Sequence, residues 1–218
     1  MKNKYLSLFS AAMLALILGA CSTKTPTNSP TVSTPEKPQQ SWSLESKTHL
    51  NPKNANQPWI IVGIKSQTLR YFDEQGNEQS RYIISSAKNG LGEQNGSYQT
   101  PRGWHKICQK IGATAPIDSI FYRRELTGSV YSEALHQQRP NSDWILTRIL
   151  WLCGQEPGLN QGGSVDSYDR KIYIHGAGAH TPWGLPSSLG CIRMKSPDVI
   201  DLFNRVGHGV DVLIDESS

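Results

Sequence analysis

Between Pro58 and Asp215 the apolar residues come in short runs, each cut off by Gly, Pro, Asn or Asp. A chain punctuated this way folds into short strands joined by turns. Trp59-Ile60-Ile61-Val62-Gly63-Ile64 reads as a buried strand. Thr68 to Phe72 follows, then the turn Asp73 to Asn77, then a strand from Arg81 to Ser86, which together make a meander. Val210 to Ile214 reads as the closing strand. Two segments read as helices. Ser142-Asp143 is placed to cap Trp144 to Cys153, with apolar residues at 145, 146, 149, 150 and 153 on one face and Gly154 at its end. Ser196-Pro197-Asp198 supplies a capping residue, a proline at the first helical position and an early acid for a helix through Val206. The expected fold is mixed α+β and β-rich, with two short helices. The stretch from Cys108 to Arg170 is long for a connection and reads either as a lid or as a solvated insertion.

Chemistry concentrates between His175 and Met194, in HGAGAHTPWGLPSSLGCIRM. His175 follows the run Lys171-Ile172-Tyr173-Ile174, and Cys191 stands sixteen residues later between Ser188-Leu189-Gly190 and Ile192-Arg193. A thiol needs a neighbouring base to become a nucleophile near neutral pH, and imidazole is the usual one. Glycine at 190 lets the backbone turn sharply enough for adjacent N–H groups to face an oxyanion. A lone Cys is more often a small buried hydrophobe, so the weight rests on the joint pattern. A zinc site from His175, His180 and Cys191 is the competing reading; it lacks ligand spacing that aims the three together, and no fourth ligand is evident.

The same residues resemble the signature of the L,D-transpeptidases (the YkuD-type catalytic domain): His-Gly, about a dozen variable residues, then Ser/Thr-x-Gly-Cys-apolar-Arg. Here these are His175-Gly176 and Ser188-Leu189-Gly190-Cys191-Ile192-Arg193. Many members carry a second His directly before the Gly, where this chain has Leu189. The resemblance extends to the strand around Thr68-Leu69-Arg70-Tyr71-Phe72, where the family carries Gln-x-Leu-x-x-Tyr. It also covers Thr100-Pro101-Arg102-Gly103, similar to the family's Thr-Pro-x-Gly. It implies a β-sandwich or barrel with a lid-like insertion over residues 58–215. It also implies Cys191 and His175 as catalytic residues, Gly190 at the oxyanion and Gly176 orienting the imidazole. Arg193, Ser188, Tyr122 and Arg124 are the expected substrate contacts, with Arg123 and Tyr131 beside them in the lid. No metal or organic cofactor is required.

The first twenty residues read as an address. Lys2 and Lys4 precede an apolar run from Leu6 to Leu18, too short and too poorly flanked for a stable membrane span. Leu18-Gly19-Ala20-Cys21 resembles a bacterial lipobox, which implies cleavage before Cys21 and lipidation there. Two or more acyl chains hold a protein on a membrane far better than one. Ser22 after the Cys is similar to the pattern for the outer membrane of a Gram-negative cell, with the protein facing the periplasm. Residues 21–57 are rich in Pro, Ser, Thr, Asn and Gln and read as a tether, with a reach of ~100 Å at ~3.1 Å per residue if extended.

Loss of residues 1–20 removes Lys2 and Lys4, so the formal charge of +4 falls to +2, too weak and dispersed for a nucleic-acid footprint. With Cys21 lipidated, Cys108, Cys153 and Cys191 remain. If Cys191 is the nucleophile, Cys108 and Cys153 are either bridged or two separate buried thiols.

The partners implied by the resemblance are peptidoglycan stem peptides, with the membrane reached through Cys21 and a wall-linked protein as one candidate acceptor. The acceptor distinguishes cross-linking, protein anchoring, D-amino acid exchange and hydrolysis, and the residues alone do not choose among them. A hydrolase of the same wall and a non-catalytic wall-binding lipoprotein are the rivals. A Cys-before-His hydrolase would have to use His208, whose Gly207-His208-Gly209 setting looks like a turn.

Overall fold

The computed structural model describes residues 49–218. The leader, Cys21 and the tether as far as residue 48 lie outside the described residues. Ten strands form one sheet: β1 (Trp59–Gly63), β2 (Thr68–Phe72), β3 (Glu78–Ser85), β4 (Gly103–Ile111), β5 (Ser119–Tyr122), β6 (Glu125–Val130), β7 (Ile145–Gly154), β8 (Tyr173–Ala177), β9 (Ile192–Lys195) and β10 (Asp211–Asp215). Helix α1 (Glu133–Gln138) precedes β7, and α2 (Ser196–Arg205) joins β9 to β10. The strand order is β4-β10-β1-β2-β3-β9-β8-β7-β5-β6. A further β4–β7 pairing closes eight of these strands on themselves, leaving the β5–β6 hairpin outside. Closure removes the free edges that an open sheet would present.

The alternation in each strand decides what fills the interior. Ile60 and Val62 of β1, Leu150 and Leu152 of β7, Ile174 of β8, and Ile192 and Met194 of β9 belong to one buried cluster. Helix α2 adds Val199, Leu202 and Phe203, spaced three and four apart on one helical face, with Val206 just beyond. Its Pro197 and Asp198 sit in the first turn as expected, but Ser196 does not cap it. The Ser196 hydroxyl donates instead to Asp118 Oδ1 at 2.5 Å.

The segment expected to be the first helix is β7. Its apolar residues satisfy a helical stripe, yet they lie on a strand buried on both faces, and periodicity cannot separate these two cases in a short apolar run. Pairing with β4 on one side and β8 on the other gives its backbone partners on both flanks. The register shifts between Leu146 and Ile149, and Thr147 within that bulge has φ 69°, a left-handed value that a β-branched residue rarely adopts. Thr147 is held there by its side chain, which lies 2.7 Å from Ser196 Oγ and accepts from the Asp118 N–H at 2.9 Å.

The 108–170 stretch is therefore not one insertion, because β7 is a wall of the closed sheet. The β5–β6 hairpin, α1 and the segment to Trp144 remain as the covering element. Cys108 and Cys153 are joined as a disulfide across β4 and β7, with Cα atoms 5.8 Å apart. Residues 49–57, assigned to the tether by composition, are held on the domain. The buried Asp211 carboxylate accepts from Asn51 at 3.1 Å and also from the Asn54 amide, and the Trp59 indole donates to the His49 carbonyl at 2.8 Å. Two Asn side chains that read as linker polarity serve here as partners of a buried charge.

Candidate active site

His175 lies in the middle of β8, between Ile149 of β7 and Arg193 of β9. The β8–β9 pair is parallel, with Ile174 opposite Ile192 and His175 opposite Arg193, so Cys191 falls beside Tyr173 just before β9 begins. Side chains alternate across a strand and paired residues share a face. Ile174, Ile192 and Met194 therefore point into the main core, while Tyr173, His175, Cys191 and Arg193 share the opposite face. That face carries a second cluster, Ala115, Phe121, Ile149, Trp151 and Tyr173, against which Cys191 packs.

The His175 ring is fully buried, and its Nδ1 lies 2.8 Å from the Gly176 carbonyl. A carbonyl only accepts, so Nδ1 carries the proton and Nε2 presents its lone pair. Nε2 is buried and has no hydrogen-bond partner. Gly176 is required by packing: a Cβ there would stand 2.6 Å from the Leu146 carbonyl oxygen and 3.0 Å from Thr147 Cβ.

The Cys191 thiol is held by main chain, accepting from the Tyr173 N–H at 3.4 Å and donating to the Lys171 carbonyl at 3.4 Å. Desolvation among the apolar neighbours pushes it up to about 12, Asp143 adds to the rise, and the Tyr173 N–H, Arg193 and Arg170 oppose it. Desolvation likewise lowers His175 below the ordinary imidazole value, with Asp143 and the Gly176 hydrogen bond opposing. Both shifts favour a neutral thiol and a neutral imidazole at rest.

The loop around the thiol is braced from several sides. Gly190 has φ 129°, and its carbonyl accepts from Thr100 Oγ1 at 2.9 Å, which ties the Thr-Pro segment to the Cys loop. The Gly190 N–H lies 3.2 Å from Ser188 Oγ, and Ser188 Oγ donates to the Cys191 carbonyl at 2.5 Å. Ser188, expected to contact substrate, is 1% exposed and its hydroxyl is spent inside the loop. Arg193, also expected at substrate, pairs with Asp143 at 2.6 Å and donates to Ser187 Oγ at 3.0 Å.

The remaining expected contacts separate. Arg124 stands 5.0 Å over the Trp151 ring and so borders the thiol's cluster, whereas Tyr122 is exposed at the hairpin tip with Arg123 over its ring. Tyr131 reaches back to Gly178, just past the end of β8. His180 is turned toward α1, its Nε2 2.6 Å from Glu133 Oε2, and not toward Cys191. No grouping of three or more His, Cys, Asp or Glu fit for a metal occurs among the described residues. His208 lies by the Cys108 carbonyl at 3.2 Å, with β7 and β8 between that strand and Cys191.

Two residues at the site escaped the sequence reading. Arg170 donates to the carbonyls of Gly92 and Gln99 at 3.2 and 2.7 Å, and its charge acts on the thiol. Asp143, read as a helix cap, is the partner of Arg193. Neither carries a local signal, since their partners stand dozens of residues away.

No curated protein matches this sequence. Solved structures similar to it include an L,D-transpeptidase from Mycobacterium smegmatis, 14% identical over 73% of this chain and 58% of that one, with a TM-score of 0.44. L,D-transpeptidase 3 from Mycobacterium tuberculosis is 16% identical over 73% and 62%, with a TM-score of 0.46. A mutant L,D-transpeptidase from Enterococcus faecium is 16% identical over 74% and 50%, with a TM-score of 0.45. The chain thus spans between half and two thirds of the length of these proteins. The model of the YkuD family, the L,D-transpeptidase catalytic domain, matches residues 57–214, which is most of the chain and all of the closed sheet but the last residue of β10, and the protein belongs to that family.

Proposed function

We propose that the protein is a peptidoglycan L,D-transpeptidase that works through an acyl-enzyme on Cys191. The observation that carries this reading is the shared face of β8 and β9. It holds a thiol and an imidazole whose Nε2 is a free lone pair, in a strand pair whose backbone sets their spacing. Cys191 Sγ attacks the carbonyl of the L-centre of the diamino acid at stem position three, and its proton passes to His175 Nε2. The tetrahedral oxyanion is met by main-chain N–H groups at Cys191 and Gly190, the latter exchanging its contact with Ser188 Oγ. Collapse breaks the C–N bond, His175 returns the proton to the departing amine of D-alanine, and a thioester remains. An incoming amine then gives its proton to His175 and displaces the thiolate.

The neutral resting pair fits this sequence of steps. Charge appears only when the substrate carbonyl is engaged, on a face lined by the apolar side chains of Ile149, Trp151 and Tyr173. The Leu18-Gly19-Ala20-Cys21 motif supports cleavage before Cys21, lipidation, and a place on the periplasmic side of the outer membrane. The Cys108–Cys153 bridge agrees with an oxidising compartment.

Incubation with purified muropeptides, with mass measurement of the products, tests the reading. The expected result is loss of D-alanine with gain of an amine acceptor, abolished in Cys191→Ser. Products carrying only water in place of D-alanine would make the protein a hydrolase, and no turnover with intact binding would make it a wall-binding lipoprotein.

A further inference from the structure

Five buried side-chain polar atoms lack a hydrogen-bond partner among the described residues: Tyr131 Oη, His136 Nδ1, Trp144 Nε1, Arg148 Nε and His175 Nε2. Such groups are few in folded proteins and each calls for a reason, because an unsatisfied buried donor or acceptor costs free energy. Tyr131, His136 and Trp144 line one cavity of about 130 Å³, shared with Ala177, Gly178 and Arg193. It is walled by the α1 segment on one side and by the end of the β8–β9 ribbon on the other. Three of the five orphaned atoms thus belong to a single small space, and a fourth is the base on the neighbouring strand position.

We propose that this cavity is a subsite for the carboxylate of a small α-amino acid, holding that amino acid's amine against His175 as it leaves or enters the acyl-enzyme. The proposal deepens the transpeptidase reading and rests on it. The donor inventory selects the ligand. An indole N–H can only donate, and a guanidinium only donates. Burial and the nearby Glu133 and Asp118 raise Tyr131 above the usual phenol value, so its hydroxyl stays protonated and able to donate. Arg193 has five N–H donors, and three contacts account for it here, two to Ser187 and one to Asp143. The acidic groups at the rim are already engaged: Glu133 with His180 and Asp143 with Arg193.

Size and position agree. A volume of 130 Å³ corresponds to a few waters at ~30 Å³ each and lies below the ~300 Å³ at which pockets for larger ligands begin. It has room for one small amino acid. Ala177 stands two residues beyond His175 on the same face, about 6–7 Å along the strand, and Arg193 lies opposite His175 in register, so the cavity lies one strand position from the buried imidazole, which does not itself line it. Because His175 gives a proton to the departing amine and takes one from the entering amine, both must occupy the same side of the ring. One carboxylate subsite therefore serves the terminal D-alanine of the donor and a free amino acid acceptor.

The test is equilibrium dialysis of the full-length protein against labelled D-alanine, with unlabelled D-alaninamide as competitor. Saturable binding that the amide fails to displace is expected. Tyr131→Phe, which keeps the ring and removes the donor, and Trp144→Phe, which removes the indole N–H together with one ring, should each weaken Kd about tenfold. Displacement by the amide as effective as by D-alanine would overturn carboxylate recognition, and so would absence of saturable binding or unchanged affinity in both variants. Should a variant fail to fold, amide competition on the unaltered chain still decides. Acylation of Cys191 by a tetrapeptide, followed by intact mass, reports on the transpeptidase reading separately. A chain that acylates but does not bind D-alanine loses the subsite and keeps the reaction.

Discussion

At the residue scale the site is set by desolvation. Burial holds Cys191 as a thiol, pushed up to about 12, and holds His175 below the ordinary imidazole value. A preformed thiolate–imidazolium pair would alkylate at a rate that levels off near neutral pH. A neutral pair instead reacts in proportion to the thiolate present, so alkylation of Cys191 by iodoacetamide should climb about tenfold per pH unit from pH 7 to pH 9 without a plateau. The acid limb of turnover should fall below the ordinary imidazole value of about 6.5, since lowering the folded pKa of a base extends its competent form to lower pH. Alkylation rates by intact mass from pH 7 to pH 9 check the first and turnover rates from about pH 4 to pH 7 check the second; a plateau of alkylation at pH 7 would mean the ion pair exists before substrate arrives. Cys191 and His175 were legible in the sequence because their spacing and neighbours form a pattern. Arg170 and Asp143 were not, because each acts through partners brought up by distant segments.

At the scale of elements, the bulge in β7 does most to place the base. Thr147 leaves the ladder with φ 69° and brings the Leu146 carbonyl close to Gly176, whose carbonyl in turn orients His175. Gly176→Ala puts a methyl group 2.6 Å from that backbone oxygen, which has no side-chain rotamer to yield. The expected cost is about 1–3 kcal/mol of stability, read as a lowered Tm, together with loss of turnover larger than the fraction unfolded. A Gly176→Ala protein with wild-type Tm would show that the bulge gives way. The same segment explains why β7 was read as a helix: a strand covered on both faces is apolar at most positions, and only its pairing with β4 and β8 reveals it. Helix α2 was legible because one of its faces meets solvent and leaves a helical stripe.

For the molecule as a whole, closure of the sheet buries titratable groups far from the reaction. His105 of β4 lies between the Gly103 carbonyl and Ser167 Oγ, and desolvation lowers it to about 4. Its folded value is below its unfolded value of about 6.5, so the unfolded chain binds the extra proton between them. Stability from this group is complete above pH 6.5 and is lost as pH falls toward 4, by on the order of 3 kcal/mol. Urea midpoints from pH 7 to pH 4 should fall accordingly, and His105→Gln should flatten part of that slope. An unchanged slope in the variant would assign the acid sensitivity to other groups, His175 first among them.

The local determinants of this protein were in its sequence: the opening meander and the closing strand with their turns, the α2 stripe with its proline start, and the His175, Gly190 and Cys191 pattern. Each of these lies within one short stretch of chain, twenty residues at most in the case of His175 to Met194, where backbone preference, spacing and side-chain alternation are visible together. The tertiary structure decided the rest. It chose strand over helix for residues 145–154, joined Cys108 to Cys153, and turned Ser188 and Arg193 inward to brace the loop. It also gathered Tyr131, His136 and Trp144 around one cavity. All of those depend on pairing between segments far apart in the chain, and a pairing energy of that kind leaves no mark on either segment alone.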